Sequence, residues 1–486
     1  MSGRKQRSFA GDISVNMIFP PLMIAITLIT VPFYLAQIGL ERYGILTLVW
    51  SLTGMFAFFD FGMGAATTYL VARARQGLDG PPVGAVILTT GLANTVIGAL
   101  LALVFWLGVG PLVFGNIKTD AALASEVAAA IGWIALLLPV GLVTSILRNA
   151  MDGQRRFLRG NLIGTGGNIA TVAGTLSVAY WLGPELPHLV VTVLIVRSLT
   201  LLLYGMAGVA ALRGARLMTW TEFRETLRFG GWQMAFSGIS GVMGFADRFI
   251  IGWIVGAGAT ALYAIPQSLT ARLRFLPQAM LRTLYPRLSE VPTDEDRREL
   301  AMRALISQLA TMALITIPAI LLVRPFFAVW LTQEFETTAG VIAQVLLIAA
   351  YIQSCLSVLF VLQRASGRPD LPAKLRSVSA VPFLLSLITG VWLGGALGAA
   401  LVLLLRFLLE VLLVLYMTGL LVRALAPMAA YFGLCALAVL ISAMGYGLLM
   451  EFAVSLVSLV GLAGAALWMS EDLSRLAQRF WLWATK

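Results

Sequence analysis

Apolar residues run along this chain in long blocks, separated by short polar connections. Fourteen blocks stand out, at 13–37, 43–70, 83–108, 127–147, 161–182, 189–212, 229–252, 259–281, 303–323, 339–363, 376–394, 396–421, 427–449 and 452–469. Coiled as a helix, each can cross a hydrocarbon core of about 30 Å. The pattern predicts an all-α polytopic membrane protein of about 14 transmembrane helices.

Charge orients these spans. Of 34 Lys and Arg residues, 26 fall on alternate connections, among them Arg4, Lys5, Arg73, Arg155, Arg156, Arg228, Arg287, Arg297, Arg368, Lys374, Arg423 and Arg475. The intervening connections hold only Arg42, Lys118 and Arg324. Basic loops stay cytoplasmic, so both termini are expected inside, with an even number of spans.

Composition agrees: 59% of residues are hydrophobic, 12% are charged and mean hydropathy is +0.90, which excludes an ordinary soluble domain. The net charge of +11 sits in short loops beside membrane ends, where orientation and anionic headgroups explain it without nucleic acid. Arg4, Lys5 and Arg7 before an apolar run resemble a signal peptide. That run is long and carries Asn16, Pro20, Pro21 and Pro32, so an uncleaved first helix is expected. Cys355 and Cys435 lie inside spans without CxxC spacing and read as packing residues. The single histidine, His188, reads as an exposed loop residue; no metal site is expected.

The outer connections are short, the longest being about 109–126. Among the inner ones, Thr221-Glu222-Phe223-Arg224-Glu225 reads as a helix start capped by Thr221, and Thr293-Asp294-Glu295-Asp296 has capping-box spacing. In 471–486, Leu473, Leu476, Phe480 and Trp483 recur at helical spacing with Arg475 and Arg479 on another face, the signature of an interfacial amphipathic helix. A weak internal repeat relates the stretch from Val31 to Gly44 to the stretch from Ala246 to Ala264, six spans later. It implies an N-lobe at 1–215 (spans 1–6), a C-lobe at 216–425 (spans 7–12) and two appended spans at 426–470.

The remaining charges fall within spans: Arg197, Arg248, Arg272, Arg274 and Arg406, with Asp60, Asp247 and Glu410. A charge at mid-bilayer costs about 2.5 to 3.5 kcal/mol on insertion scales, so each needs a partner, a wet cavity or a substrate. Arg406 and Glu410, spaced i,i+4, read as a structural pair. Asp60 reads as central in span two, where it pairs with an arginine or carries a coupling proton. Asp247 and Arg248 are neighbours in sequence and need separate partners. Arg272 and Arg274, two apart on one helix, point to opposite sides, so one of them, Arg272, faces a cavity. A guanidinium there suits a pyrophosphate, whose oxygens it can grip bidentately. Arg272, Arg274, Arg248, Asp60 and Asp247 are therefore the candidate substrate-binding residues. Pro32, Pro139, Pro266, Pro277, Pro318 and Pro382 offer bends for one lobe to rock against the other.

These residues carry a family resemblance. Ile38-Gly39-Leu40-Glu41-Arg42-Tyr43-Gly44 followed by Asp60-Phe61-Gly62-Met63-Gly64 resembles the polysaccharide-transporter, Wzx-like oligosaccharide flippase branch of the MOP exporter superfamily. Leu227-Arg228-Phe229-Gly230-Gly231-Trp232, then Ala246 through Gly252, Tyr263-Ala264 and Leu284-Tyr285-Pro286-Arg287-Leu288-Ser289 follow that branch in order. The resemblance implies a MATE-like, two-lobed carrier in a bacterial inner membrane that moves an undecaprenyl-pyrophosphate-linked oligosaccharide to the outer leaflet. It also implies a cationic cavity, coupling to H+ or Na+ without a cofactor, and membrane lipids and polysaccharide polymerase or export machinery as partners. Span one carries no charged residue, which separates the chain from multidrug extruders with an acidic first helix and from arginine-rich peptidoglycan-precursor flippases.

Two rival readings follow from the same residues. A membrane-embedded polymerase or ligase needs an outer constellation of acids and bases, and the short outer loops show none. No GxGxxG or P-loop appears, which argues against ATP-driven transport by this chain alone. A multidrug or cation antiporter needs a net acidic cavity, whereas the intramembrane charges lean positive.

Overall fold

The computed structural model describes residues 9–56, 59–77, 80–212, 214–273, 275–368, 370–444 and 453–455. Arg274, most of the fourteenth block and the amphipathic segment at 471–486 lie outside them. Everything described is helix or connection, as the block pattern predicts. The helices are α1 (Phe9–Phe56), α2 (Met63–Arg75), α3 (Val83–Val104), α4 (Gly110–Gly115), α5 (Ala121–Gly153), α6 (Phe157–Trp181), α7 (Leu186–Leu212) and α8 (Trp220–Ile254). They continue as α9 (Ala257–Arg272), α10 (Phe275–Glu290), α11 (Asp294–Trp330), α12 (Gln333–Thr337), α13 (Ala339–Ala365), α14 (Asp370–Thr418) and α15 (Leu421–Ala443). Among the described residues, nine helical stretches are long and apolar enough to cross a membrane unaided.

Two of those nine hold a pair of blocks each. α1 turns back at Gly39 (φ 76°, ψ 170°) and α14 at Gly395 (φ 57°, ψ −139°), both conformations that an L side chain resists. The turns fall where the sequence places the outer ends of blocks 1 and 2 and of blocks 11 and 12. The α14 hairpin is tight: a Cβ at Gly398 would lie 1.8 Å from the carbonyl oxygen of Gly390. The third helical stretch runs past the end of its block at 108, as α3 and α4 joined by one wide turn at Phe105–Val109, so the expected outer connection at 109–126 begins only after Gly115. Pro111, which has no N–H to give, follows that turn and accounts for the break in the regular ladder.

By packing, the chain divides into residues 1–261 and 262–486. In the first unit, α5 lies against α3, α7 and α2, and α6 lies against α7 and α1. Its core joins Leu48, Val49 and Leu52 of α1 to Ile134 and Leu138 of α5, Val190 and Val193 of α7 and Phe249 of α8. α8 packs on α1 and α2 within this unit. In the second unit, α13 packs against α11 and α14, and α15 against α11. Leu305, Leu309 and Ala313 meet Tyr351, Cys355 and Leu359 there, with Val411 and Cys435. Tyr351 settles its hydroxyl on the Leu309 carbonyl at 2.9 Å. Both cysteines are free and buried.

One expected cap moves. α8 starts at Trp220, and Thr219 rather than Thr221 caps it. Thr219 stands three residues before Glu222, so each side chain reaches the other's backbone N–H in a complete capping box. Those two donations from Thr219 hold the Glu222 carboxyl below the usual carboxylate range. At α11, Thr293 accepts from the Asp296 N–H at 3.1 Å, and the helix runs unbroken from that inner connection into the ninth block.

The Arg406–Glu410 pair is present, with Nε to Oε1 at 2.8 Å and side chains 13% and 5% exposed. The guanidinium carbon sits 4.4 Å from the Phe383 ring centroid and 5.5 Å from that of Phe407, and Ser379 donates to Glu410 at 3.3 Å. Removing one member strands a buried charge, at a cost of about 3 to 5 kcal/mol, while replacing both by apolar side chains is close to neutral. Glu410→Leu should therefore collapse the thermal stability of the purified protein, and the double variant Arg406→Met/Glu410→Leu should recover most of it. Equal stability of the single and double variants would show that the pair carries no such coupling.

Candidate functional site

A lipid-buried chain can leave the helical ladder only where its freed backbone groups find other partners. The described residues do so inside two blocks, and both interruptions hold candidate charges. In the second block, α1 ends at Phe56 and α2 begins at Met63. Phe61 (φ 53°) and Gly62 (φ 72°) turn the chain there in left-handed conformation. Asp60 lies in this turn, 8% exposed. Its Oδ1 accepts the Gly62 N–H at 2.8 Å and its Oδ2 accepts the Gly64 N–H at 2.9 Å, so both oxygens serve the exposed start of α2. Thr68 donates to the Asn149 carbonyl at 3.1 Å, and the Asn149 amide donates to the Ser145 carbonyl at 2.9 Å, fixing α2 on α5. A Cβ at Gly64 would lie 2.5 Å from Asp60 Oδ2 and 2.6 Å from Asn149 Nδ2, so only glycine leaves this junction room.

The eighth block is interrupted as well. α9 ends at Arg272 and α10 begins at Phe275, with Leu273 N–H closing the last turn on the Thr270 carbonyl at 3.1 Å. The opposite-face argument for Arg272 and Arg274 assumes one continuous helix. Since the helix stops at Arg272, that argument does not hold. Arg272 is half-buried at the break, and Arg274 lies outside the described residues. Beyond the break, α10 packs on α13 and α11 within the second unit. Counted from their outer turns at 1.5 Å per residue, both breaks fall about 24 to 26 Å along the helix.

Asp247 is 3% exposed, and its Oδ1 takes the backbone N–H of Arg248 at 2.8 Å. The Arg248 guanidinium donates to the Ser51 hydroxyl on α1 and lies 5.9 Å over the Phe245 ring. Within the first unit, Asp60, Asp247 and Arg248 thus have three separate tasks. Arg197, midway along α7, was not ranked among the candidates by sequence. Its Nε is buried and has no hydrogen-bond partner among the described residues. Its depth was legible in the sequence; the lack of a partner needed the structure.

This arrangement, helices throughout with an interrupted span in each half, is the fold of MATE-like carriers. An inward-closed lipid II flippase MurJ superposes with a TM-score of 0.65 at 13% identity, over 96% of this chain and 98% of that one. An inward-facing multidrug-resistance MATE transporter of the MOP superfamily gives 0.65 at 12% identity, over 84% and 99%. The chain belongs to the family described as polysaccharide biosynthesis protein, whose model matches residues 13–291. A curated relative, the "Putative O-antigen transporter" of Shigella flexneri, is 25% identical over 402 residues, covering 80% of this chain and 93% of that protein.

If Asp60 is a cap, its charge matters less than its acceptors. Asp60→Asn keeps one acceptor, should cost about 1 kcal/mol or less, and should leave surface polysaccharide close to normal. Asp60→Leu removes both and should lower protein level and output together. A stable, well-inserted Asp60→Asn protein without output would show that Asp60 acts through its charge.

Proposed function

We propose that this protein is a flippase. It carries an undecaprenyl-pyrophosphate-linked oligosaccharide from the inner to the outer leaflet of a bacterial inner membrane by alternating access, with both termini cytoplasmic. The observation that carries the reading is the interrupted eighth block, in which α9 ends at Arg272 and α10 begins at Phe275. Interrupted spans at matching places in two halves are where carriers of this architecture bind their cargo. A guanidinium there supplies donors in the fork that a diphosphate accepts. The matching breaks in blocks 2 and 8 support lobes at 1–215 and 216–425, with 426–470 appended. On this division, α8 and α9 open the second lobe. Membership of a polysaccharide biosynthesis family, and a relative named for O-antigen transport, support a lipid-linked sugar as cargo.

Arg272 and Arg274 would supply the cationic contribution to the head-group site, and Arg248 stays a separate candidate within residues 1–261. Asp60 holds the break in span two in shape. Asp247 fixes the backbone at Arg248. No step of this reading calls on a cofactor or a metal.

The direct test is the sidedness of lipid-linked oligosaccharide in membranes with and without the protein, read by an impermeant glycosidase. Protein-dependent trimming from outside is the expected result. Unchanged sidedness with altered chain length would support a polymerase or ligase instead. In the same membranes Arg272→Ala should abolish outside trimming at normal protein level, and Arg272→Lys should keep part of it, since it retains charge without the bidentate fork. Normal trimming with Arg272→Ala would remove Arg272 from the site.

A further inference from the structure

The outer connection between α4 and α5 makes contacts that the transport site does not explain. Lys118 pairs with the α8–α9 turn through its backbone: its N–H donates to the Gly252 carbonyl at 3.1 Å, and its carbonyl accepts the Ala257 N–H at 3.2 Å. Its ammonium reaches the Ile254 carbonyl at 2.5 Å, near the end of α8 where carbonyls lack helical partners. The Trp253 indole donates to the Val113 carbonyl at 2.6 Å. Neighbouring ties anchor this connection to its own side: Thr119 donates to Glu41 at 3.1 Å, Arg42 grips Glu126 at 2.6 and 3.0 Å, and Glu126 also accepts the Leu186 N–H at 3.0 Å.

Below this pairing, α1 and the α8–α9 segment approach each other in steady antiparallel register. A Cβ at Gly44 would lie 2.0 Å from the Ala257 carbonyl oxygen. Gly252 stands 3.5 Å from Leu48 by the same measure, Arg248 bonds to Ser51, and Gly54 faces the Phe245 ring at 3.2 Å. From the outer end inward the contacts are 44 with 257, 48 with 252, 51 with 248 and 54 with 245. Gly256 sits at the top with φ +134°, and a Cβ there would be 3.0 Å from the Lys118 carbonyl oxygen.

We propose that this seam is the outer gate of the carrier, closed in this structure, and that the Lys118 backbone pairing is its latch. The inference rests on the flippase reading and its lobe division, under which α1 and the 116–120 connection belong to one lobe and α8 and α9 to the other; the seam is what packs α8 and the start of α9 with α1 within residues 1–261 in this structure. Because the pairing uses the Lys118 main chain, the latch depends on a close glycine seat more than on the lysine side chain. The bond from Arg248 to Ser51 is the innermost hydrogen bond described along the seam, so opening the seam breaks a contact of a candidate head-group residue.

Two measurements in a Cys355→Ala/Cys435→Ala background test this. The first is labelling of Leu48→Cys by an impermeant maleimide added from outside. Gly256→Ala, which wedges the latch, should raise the labelling rate about fivefold or more. Gly258→Ala, whose Cβ would make only ordinary contact at 3.6 Å, should leave it unchanged. The second pairs Lys118→Cys with Ala257→Cys, positions whose backbone bonding brings them within disulfide reach. Oxidation should stop outside trimming of the lipid-linked sugar, and reduction should restore it. Complete cross-linking with undiminished transport, or labelling of Leu48→Cys that Gly256→Ala does not change, would overturn the latch. Labelling that shifts as expected in a protein that moves no lipid-linked sugar would support the gate and count against the flippase reading alone.

Discussion

Lipid offers no hydrogen bonds, and that constraint shapes this protein. Every N–H and C=O at membrane depth must find a partner inside the chain. Unbroken helices meet the demand at no cost to sequence variety, which is why so much of the chain is simply apolar. The exceptions are confined to a few places. Gly39 and Gly395 turn the chain at the ends of spans, where water can help. The break just before Met63 lies deeper, and Asp60 spends both carboxylate oxygens on the freed N–H groups of Gly62 and Gly64. A break that must be stabilised at such expense persists because the break is useful.

The same solvent makes each buried charge a statement about its surroundings. Arg406 is answered by a carboxylate on its own helix face and by two aromatic rings. Arg248 donates to a hydroxyl on α1 and lies over a ring. Arg272 stands at the end of α9, inside the eighth block, where no continuous helix fixes its direction.

Much of this was legible in the sequence, for physical reasons that can be named. Alternating basic loops mark span boundaries because Lys and Arg concentrate on every second connection, and the Gly39 and Gly395 turns fall where those boundaries were drawn. The i,i+4 spacing of Arg406 and Glu410 determines a shared helix face, so their pairing could be read directly. The breaks could not. Apolar periodicity continues across Phe58, Phe59 and Phe61 without a gap, and only Asp60 followed by Gly62, a capping residue beside a glycine that accepts positive φ, hinted at an interruption. At Leu273 the sequence gives still less, since Arg272 and Arg274 fit a helix as well as a helix end. Lys118 looked like an isolated outer charge because its contacts run through its main chain, which side-chain chemistry does not announce.

A gate must be firm enough to exclude ions and weak enough for cargo to open, and the outer seam has the composition for both. Four direct hydrogen bonds join the 113–118 stretch to the α8–α9 segment. At about 0.5 to 1.5 kcal/mol net for each, they sum to roughly 2 to 6 kcal/mol. A ligand shifts such an equilibrium only by its difference in affinity for the two states, and about 5.5 kcal/mol moves a population from 1:99 to 99:1. On the proposed gate, the bond from Arg248 to Ser51 is one more contact that opening must break, so it adds to the difference in affinity that a cargo has to supply.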